Sequence, residues 1–496
     1  METAQQRVHE DAHEQAHEQA HDKQAQRAPD SIWTNGNYAP VSQEIEAAGL
    51  KVHGALPREL TGTLYRNGPN PRFPSAATHW FGGDGMIHAI ALADGAASYR
   101  NRWVRTPKWR DEDRAGRALF RAFAGKLPDA PEWAGDDRGV ANTNIVWHGQ
   151  RLLALEEAHR PTRMTPDTLE TLGYADYGPL QGPFTAHPKI DPLTGEMFFF
   201  GYNADGPLTA AMTTGTIGPD ARLTRHLKFE TPYCSMVHDF MMTTRHLLFP
   251  VLPLTGSRER LEKGLPPYAF EADRPSMIGI MRRDSPSAAV RWFQGPPCYV
   301  FHALNAWEEG ETIHADVMVY DEAPLFPRPD GSPGDRSRQL AYLTRWTFDL
   351  AGGRDSFTSQ RLCDIPGEFP RIDDRLAGRP HRHGWFAASV PGEDAGQGQS
   401  DHSERNGIVH VDAQSGAQAT LWLPPGDATS EPVFAARGRA EGDGWLLAVV
   451  WRAASNTSEL LVLDALNVEA GPIATVELPQ RVPFGFHGNW VEGAST

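Results

Sequence analysis

Short apolar runs separated by turn residues recur along most of this chain. Ile145-Val146-Trp147, Leu152-Leu153-Ala154-Leu155, Met197-Phe198-Phe199-Phe200, Leu247-Leu248-Phe249 and Val317-Met318-Val319-Tyr320 are examples. Leu446-Leu447-Ala448-Val449-Val450 and Leu460-Leu461-Val462-Leu463 continue the series. Apolar runs this short, bounded by Gly, Pro, Asp and Asn, predict strands rather than helices. Asp-Pro-Leu-Thr-Gly at 191–195 and Asp-Ala-Gln-Ser-Gly at 412–416 predict hairpin turns. Residues 60–69 read as a strand running into a turn. Gly82-Gly83-Asp84-Gly85 reads as a tight turn before the strand that begins at Met86. No Gly-Lys-Ser and no helical pattern follow it, which argues against a phosphate loop. The best helical pattern is 110–127, with Leu119, Phe120 and Phe123 on one side, a core-facing or lid helix. Gly392 to Asn406 is polar and Gly-rich and predicts an exposed loop.

The chain has 496 residues, enough for several domains or for one closed repeat architecture. Its 47 Gly and 40 Pro supply many turns, and 14 Trp with 22 Phe supply a large core. A closed β-propeller is the simplest solution for so many short strands, because closure leaves few open edges. No strict sequence repeat supports it. Residues 1–30 differ: His9, His13, His17 and His21 recur every four residues among Ala, Gln and Glu. On a helix they would share a face able to hold metal; the reading adopted is a disordered polar tail. Residues 31–496 then form a single propeller domain.

Charge and cysteine narrow the function. A net charge of −16 argues against non-specific nucleic-acid binding. Cys234, Cys298 and Cys363 are too few for a disulfide framework and fit a reduced cytoplasmic compartment. No run approaches a membrane span, and the N-terminus is too acidic and polar for a secretory signal. Transient contact with a membrane surface stays open.

Four histidines stand apart from the rest. His187, His238, His302 and His487 lie in apolar or aromatic sequence, whereas most of the 20 His lie among polar residues. Each alone reads as a hydrogen-bonded core histidine. Together, at blade-like separations, they suggest a shared metal site. Imidazole suits Fe, Zn, Cu and Ni, and a neutral donor set leaves the ion its full charge. Ligating imidazoles need outer acceptors. Glu157, Glu368 and Glu431 lie in apolar or Pro-rich settings, although an exposed carboxylate is the usual alternative for Glu.

With these segments in view, the chain resembles the carotenoid cleavage oxygenases, a family that includes apocarotenoid, lignostilbene and isoeugenol oxygenases. The resemblance covers roughly residues 45–492. It rests on Leu64-Tyr65-Arg66-Asn67-Gly68-Pro69, Phe81-Gly82-Gly83-Asp84-Gly85-Met86, Ala141-Asn142-Thr143-Asn144 and the four histidine segments. Glu368-Phe369-Pro370-Arg371, Glu431-Pro432-Val433-Phe434 and His487-Gly488-Asn489-Trp490 complete it. It implies an all-β, seven-bladed propeller with a helical and loop cap over an axial Fe(II). It implies His187, His238, His302 and His487 as ligands, with Glu157, Glu368 and Glu431 behind them and His187 without a glutamate. The implied activity is cleavage of a conjugated C=C bond by O₂ into two carbonyl products, with an apolar small-molecule substrate.

Two substrate branches remain open. Residues 257–284 resemble the lignostilbene and isoeugenol branch. Phenol-cleaving members carry Lys just before the first outer Glu and stilbene cleavers a Tyr in the lid helix, where this chain has Glu156 and Phe123. That difference favours an apolar polyene. Phe81, Phe123, Glu156 and Trp307 are the candidate pocket residues. The competing classes are a non-catalytic propeller scaffold, which needs no buried histidine cluster, and a Ca²⁺-dependent propeller hydrolase, which needs oxygen ligands.

Overall fold

Strand-forming runs pair, mostly with their chain neighbours, into seven blade sheets of a seven-bladed β-propeller, and Leu254–Gly256 pairs with Tyr268–Phe270 in a separate two-stranded sheet. The computed structural model of the chain describes residues 31–75, 78–120, 137–389 and 405–493. In chain order, the second sheet runs from Asn144–His148 to Thr171–Tyr174 and the third from Lys189–Ile190 to Leu223–Glu230. The fourth runs from Met241–Met242 to Arg291–Gly295, the fifth from Tyr299–Glu309 to Thr358–Arg361, and the sixth from Gly367–Arg371 to Gln418–Trp422. All ladder pairs in them are antiparallel, as short hairpin connections require.

The first and seventh sheets close the ring. Gly488–Glu492 at the end of the chain pairs with Gly62–Pro69, placing Asn489 against Tyr65 and Trp490 against Leu64. Val52–Gly54 pairs in turn with Pro472–Glu477 of the seventh sheet. Both pairings satisfy strand edges that would otherwise stay open. They also bring His487 back beside residues hundreds of positions earlier.

Local sequence explains the hairpins. Asp191 Oδ1 accepts the Leu193 N–H at 2.9 Å, and Asp412 Oδ1 accepts those of Gln414 and Ser415 at 3.0 and 2.9 Å. The following Gly195 and Gly416 sit at φ 70° and 75°, the left-handed region that glycine enters freely. Cores form between blades. Trp385 stacks on Phe434 with centroids 5.1 Å apart, joining the sixth sheet to the seventh, and both rings are buried. Large aromatic surfaces of this kind dominate core energetics.

Three expectations need correction. Gly62–Pro69 is strand throughout, so Asn67-Gly68-Pro69 is no turn; Asn67 Nδ2 instead donates to the carbonyls of Ala141 and Asn144 at 2.9 and 2.8 Å. The helix is Pro107–Ala115 and stops well inside the 110–127 pattern, whose residues 121–127 lie outside the described residues. Thr106 caps its start and Gly116, at φ 68°, ends it. Leu119 is buried beyond that end, where its N–H and that of Phe120 reach Glu112 Oε1. Finally, Arg405 and Asn406 belong to the strand Arg405–Asp412, and Arg405 is buried. The tail 1–30, Phe123 and residues 392–404 lie outside the described residues.

The Gly-rich turn is a structural anchor. Asp84 Oδ1 and Glu112 Oε2 each receive the Lys108 ammonium at 2.8 Å, and all three side chains are buried. Asp84 Oδ2 accepts the Arg72 N–H at 2.9 Å. A Cβ on Gly85 would lie 2.3 Å from the Ala141 carbonyl oxygen, so only glycine fits that approach. The turn thus ties the helix to the propeller face.

Candidate metal centre and substrate cavity

Every blade contributes one polar side chain to the axis. His487 precedes the last strand of the first sheet, His187 and His238 precede the first strands of the third and fourth, and His302 lies in the first strand of the fifth. Glu157 follows Arg151–Leu155 in the second sheet, Glu368 lies in Gly367–Arg371 of the sixth, and Glu431 lies just before Val433–Ala436 of the seventh.

The four histidines offer nitrogens that all lie within 4.8 Å of one another. His187 Nε2 is 3.0 Å from His238 Nε2, which is 3.2 Å from His302 Nε2. The other ring nitrogens face carboxylates. His238 Nδ1 contacts Glu157 Oε1, His302 Nδ1 meets Glu368 Oε2 at 2.5 Å, and His487 Nδ1 meets Glu431 Oε1 at 3.0 Å. A proton on Nδ1, donated to the carboxylate, leaves the Nε2 lone pair facing inward. Lone pairs facing each other at 3.0 Å repel unless a cation lies between them. An imidazole nitrogen sits about 2.0–2.1 Å from a bound zinc, so right-angled neighbours around one such ion are separated by about 3.0 Å. The donor set therefore fits one divalent ion. Among the described residues, no carboxylate forms an ion pair with the His187 ring.

At His187 and His487 the electrostatics favour the neutral, donor form of the ring. Burial, then the three neighbouring rings, push His187 well below its ordinary value. Burial likewise holds His487 at about 4, against the pull of Glu431. For His238, burial is outweighed by the charge and hydrogen bond of Glu157, which raise it. Burial alone would raise Glu431, but Arg371, His487 and the Gly488 N–H hold it at about 2. Arg371 Nη1 lies 3.2 Å from Glu431 Oε2 and donates at 2.8 Å to the Gly488 carbonyl. Tyr202 donates to Glu157 Oε2 at 2.6 Å. Neither Arg371 nor Tyr202 was singled out from sequence, although Arg371 ends the Glu-Phe-Pro-Arg motif. Tyr202 closes an apolar strand and gives no distinctive signal.

Two cavities touch the histidines. One of about 290 Å³ has mixed walls, with Lys189, Asp239 and Arg371 beside Ile190, Phe240 and Leu304. The other, about 190 Å³, is mainly apolar and is walled by Phe81, Phe301, Leu325, Phe369 and Phe486, with His238, His302 and His487 at its base. Phe81 and Glu156 line it; Trp307 does not. The Trp307 ring is buried elsewhere in the fifth sheet, 4.7 Å from the Arg345 guanidinium and 5.3 Å from the His314 ring. In a strand whose faces alternate, its distance from His302 in sequence does not place it in the cavity.

The retinal pigment epithelial membrane protein family model matches residues 38–492. The lignostilbene-α,β-dioxygenase isozyme III of Sphingomonas paucimobilis is 37% identical over 94% of this chain and 98% of that protein. This chain belongs to the carotenoid oxygenase family. It is also 36% identical to the isoeugenol monooxygenase of Pseudomonas putida, over 92% of the chain and 97% of that enzyme. The crystal structure of Pseudomonas brassicacearum lignostilbene dioxygenase superposes with a TM-score of 0.88 at 34% identity, covering 94% of this chain and 100% of that one. The chain is thus an enzyme of the alkene-cleaving oxygenase type. Among the described residues, no helix is long and apolar enough to cross a membrane.

Proposed function

We propose that this family member is a non-haem Fe(II) dioxygenase that cleaves a conjugated C=C bond with O₂, giving two carbonyl products. The observation that carries the proposal is the convergence of four imidazoles under an apolar cavity, with three outer carboxylates. Iron, when bound, supplies O₂ activation. His187, His238, His302 and His487 would hold it. Glu157, Glu368 and Glu431 orient three of the rings through Nδ1. Four neutral ligands and no coordinating carboxylate suit a ferrous ion.

The rest is the work of the cavity. Phe81, Phe301, Phe369 and Phe486 exclude water and hold a flat conjugated chain over the histidines. The relatives named above point to aryl-propene or stilbene alkenes, and an apocarotenoid is the other candidate in the family. Glu156 contacts the His159 ring, and Asp137 lies 3.4 Å from its far nitrogen. Burial opposes charge on His159, but both carboxylates outweigh it and raise its affinity for a proton. This wall can accept a hydrogen bond from a neutral phenol and repels a phenolate.

The test is product identification. Iron-loaded protein is incubated under ¹⁸O₂ with isoeugenol, a hydroxystilbene and an apocarotenal. Two carbonyl fragments from one of them, with label incorporated, are expected. No cleavage of any of these, nor of a conjugated alkene acid such as 4-hydroxycinnamate, by fully iron-loaded protein would overturn the proposal.

A further inference from the structure

One side chain in the cavity wall is out of place chemically. Arg405 lines the cavity among Phe81, Leu325, Phe369 and Phe486, yet it is only 5% exposed. Its Nε has no hydrogen-bond partner. Among the described residues no carboxylate forms an ion pair with it. Its guanidinium carbon lies 4.5 Å above the Phe369 ring, a contact that leaves the N–H edge free. After burial, the groups that act on it are the phenols of Tyr38 and Tyr320, which carry no charge in the working range, and then the Glu368 carboxylate, whose Oε2 is taken by the His302 ring and the Phe369 N–H. A second buried guanidinium, Arg66, adds repulsion; its Nη1 donates to the Pro483 carbonyl at 2.9 Å and its own Nε is unpartnered.

A buried guanidinium without an anion is expensive, because burial disfavours the charged form and unmade hydrogen bonds add to the loss. Burial does lower its affinity for a proton, but an arginine does not become neutral in the working range. The fork of N–H groups matches a carboxylate in a bidentate manner. Glu156, a carboxylate in the same wall, makes the cavity polarised: an anion-repelling patch at Glu156 and an anion-attracting one at Arg405.

We propose that Arg405 is the specificity-determining residue of this cavity and pairs with a carboxylate carried by the conjugated alkene. The substrate class is then an alkene acid, a cinnamate-like or carboxystilbene-like molecule, whose carboxylate sits at Arg405 while its double bond lies over the histidines. A free hydroxyl, where present, faces Glu156. This inference rests on the alkene-cleaving reading for the reaction, but not for the binding step.

Binding and turnover are therefore measured separately. Calorimetry compares 3-(4-hydroxyphenyl)propanoate with its methyl ester, neither of which contains a cleavable alkene. Wild-type protein is expected to bind the acid at least about tenfold more tightly than the ester, the scale of a charge-assisted hydrogen bond. In Arg405→Gln that preference falls to about one, while Arg405→Lys, which keeps the charge without the fork, retains part of it. Cleavage is then compared for 4-hydroxycinnamate, a carboxystilbene and their methyl esters, and the same order in kcat/KM is expected. Equal binding of acid and ester by the wild type would overturn the proposal, as would an acid preference unchanged in Arg405→Gln. If Arg405→Gln does not fold, the wild-type ratio and the Lys variant still decide. Acid-selective binding without cleavage of any alkene would sustain the Arg405 assignment and defeat the proposed reaction.

Discussion

Glu431 holds His487 from two directions: Oε1 meets the ring at Nδ1 at 3.0 Å, and Oε2 accepts the N–H of the next residue, Gly488, at 3.0 Å. Arg371 adds its charge to the same carboxylate. One carboxylate thereby sets both the ring orientation and the backbone from which the ring projects, at the point where the last strand closes the propeller.

Glu431→Gln is expected to lower metal affinity by about 10–100-fold, the usual effect of losing an outer partner. Competition with a chelator, read by metal analysis of the purified protein, measures it. His487→Ala should reduce bound iron further. Removing residues 1–30, with their histidine series, should leave stoichiometry and activity unchanged. Full iron occupancy in His487→Ala would remove that ring from the site.

Lys108 neutralises Asp84 and Glu112 in a buried trio. Lys108→Met leaves two like charges buried together without a cation. Breaking a buried pair in this way costs about 3–5 kcal/mol. Denaturant unfolding should show that loss. The triple change Lys108→Met, Asp84→Asn, Glu112→Gln should recover part of it, since no uncompensated charge remains.

Glu308 carries an acid-sensitive part of the stability. Burial would raise its carboxyl, but hydrogen bonds from His246, Thr243 and Arg245 prevail and hold it at about 2. A carboxyl depressed in the folded state stabilises above its unfolded value of about 4.3 and loses that contribution as pH falls toward 2. Glu308→Gln should therefore be less stable than wild type at pH 7, with the difference shrinking through that window. Thermal unfolding from pH 7 to the lowest pH at which both proteins fold checks the sign.

Glu156 faces the cavity where it cannot welcome a phenolate. Converting a substrate's ring hydroxyl to a methyl ether is expected to change kcat/KM by less than about tenfold, the loss of one hydrogen bond. Glu156→Lys should make the free phenol the better substrate. A strict requirement for the free hydroxyl in the wild-type enzyme would refute this expectation.

Sequence alone determined the strands, the hairpin turns and the histidine set. Short apolar runs and the Asp-to-Gly turns act within a few residues, so their pattern marks the runs 197–200 and 446–450, which lie in the strands Met197–Tyr202 and Gly444–Arg452, and the bends at 191–195 and 412–416. The four histidines were visible because apolar surroundings mark a polar side chain as unusual. Helix length was less legible, because Gly116 and the reach of Glu112 to Leu119 overrode the apolar spacing. Only the tertiary structure decided what meets across blades. It put Arg371 on Glu431 and Tyr202 on Glu157, took Trp307 out of the cavity, and brought Arg405 from the edge of a polar stretch into an apolar wall. Such pairings join residues tens to hundreds of positions apart. No local periodicity encodes them; they exist only because the ring of blades closes and brings one polar side chain from each blade to one axis.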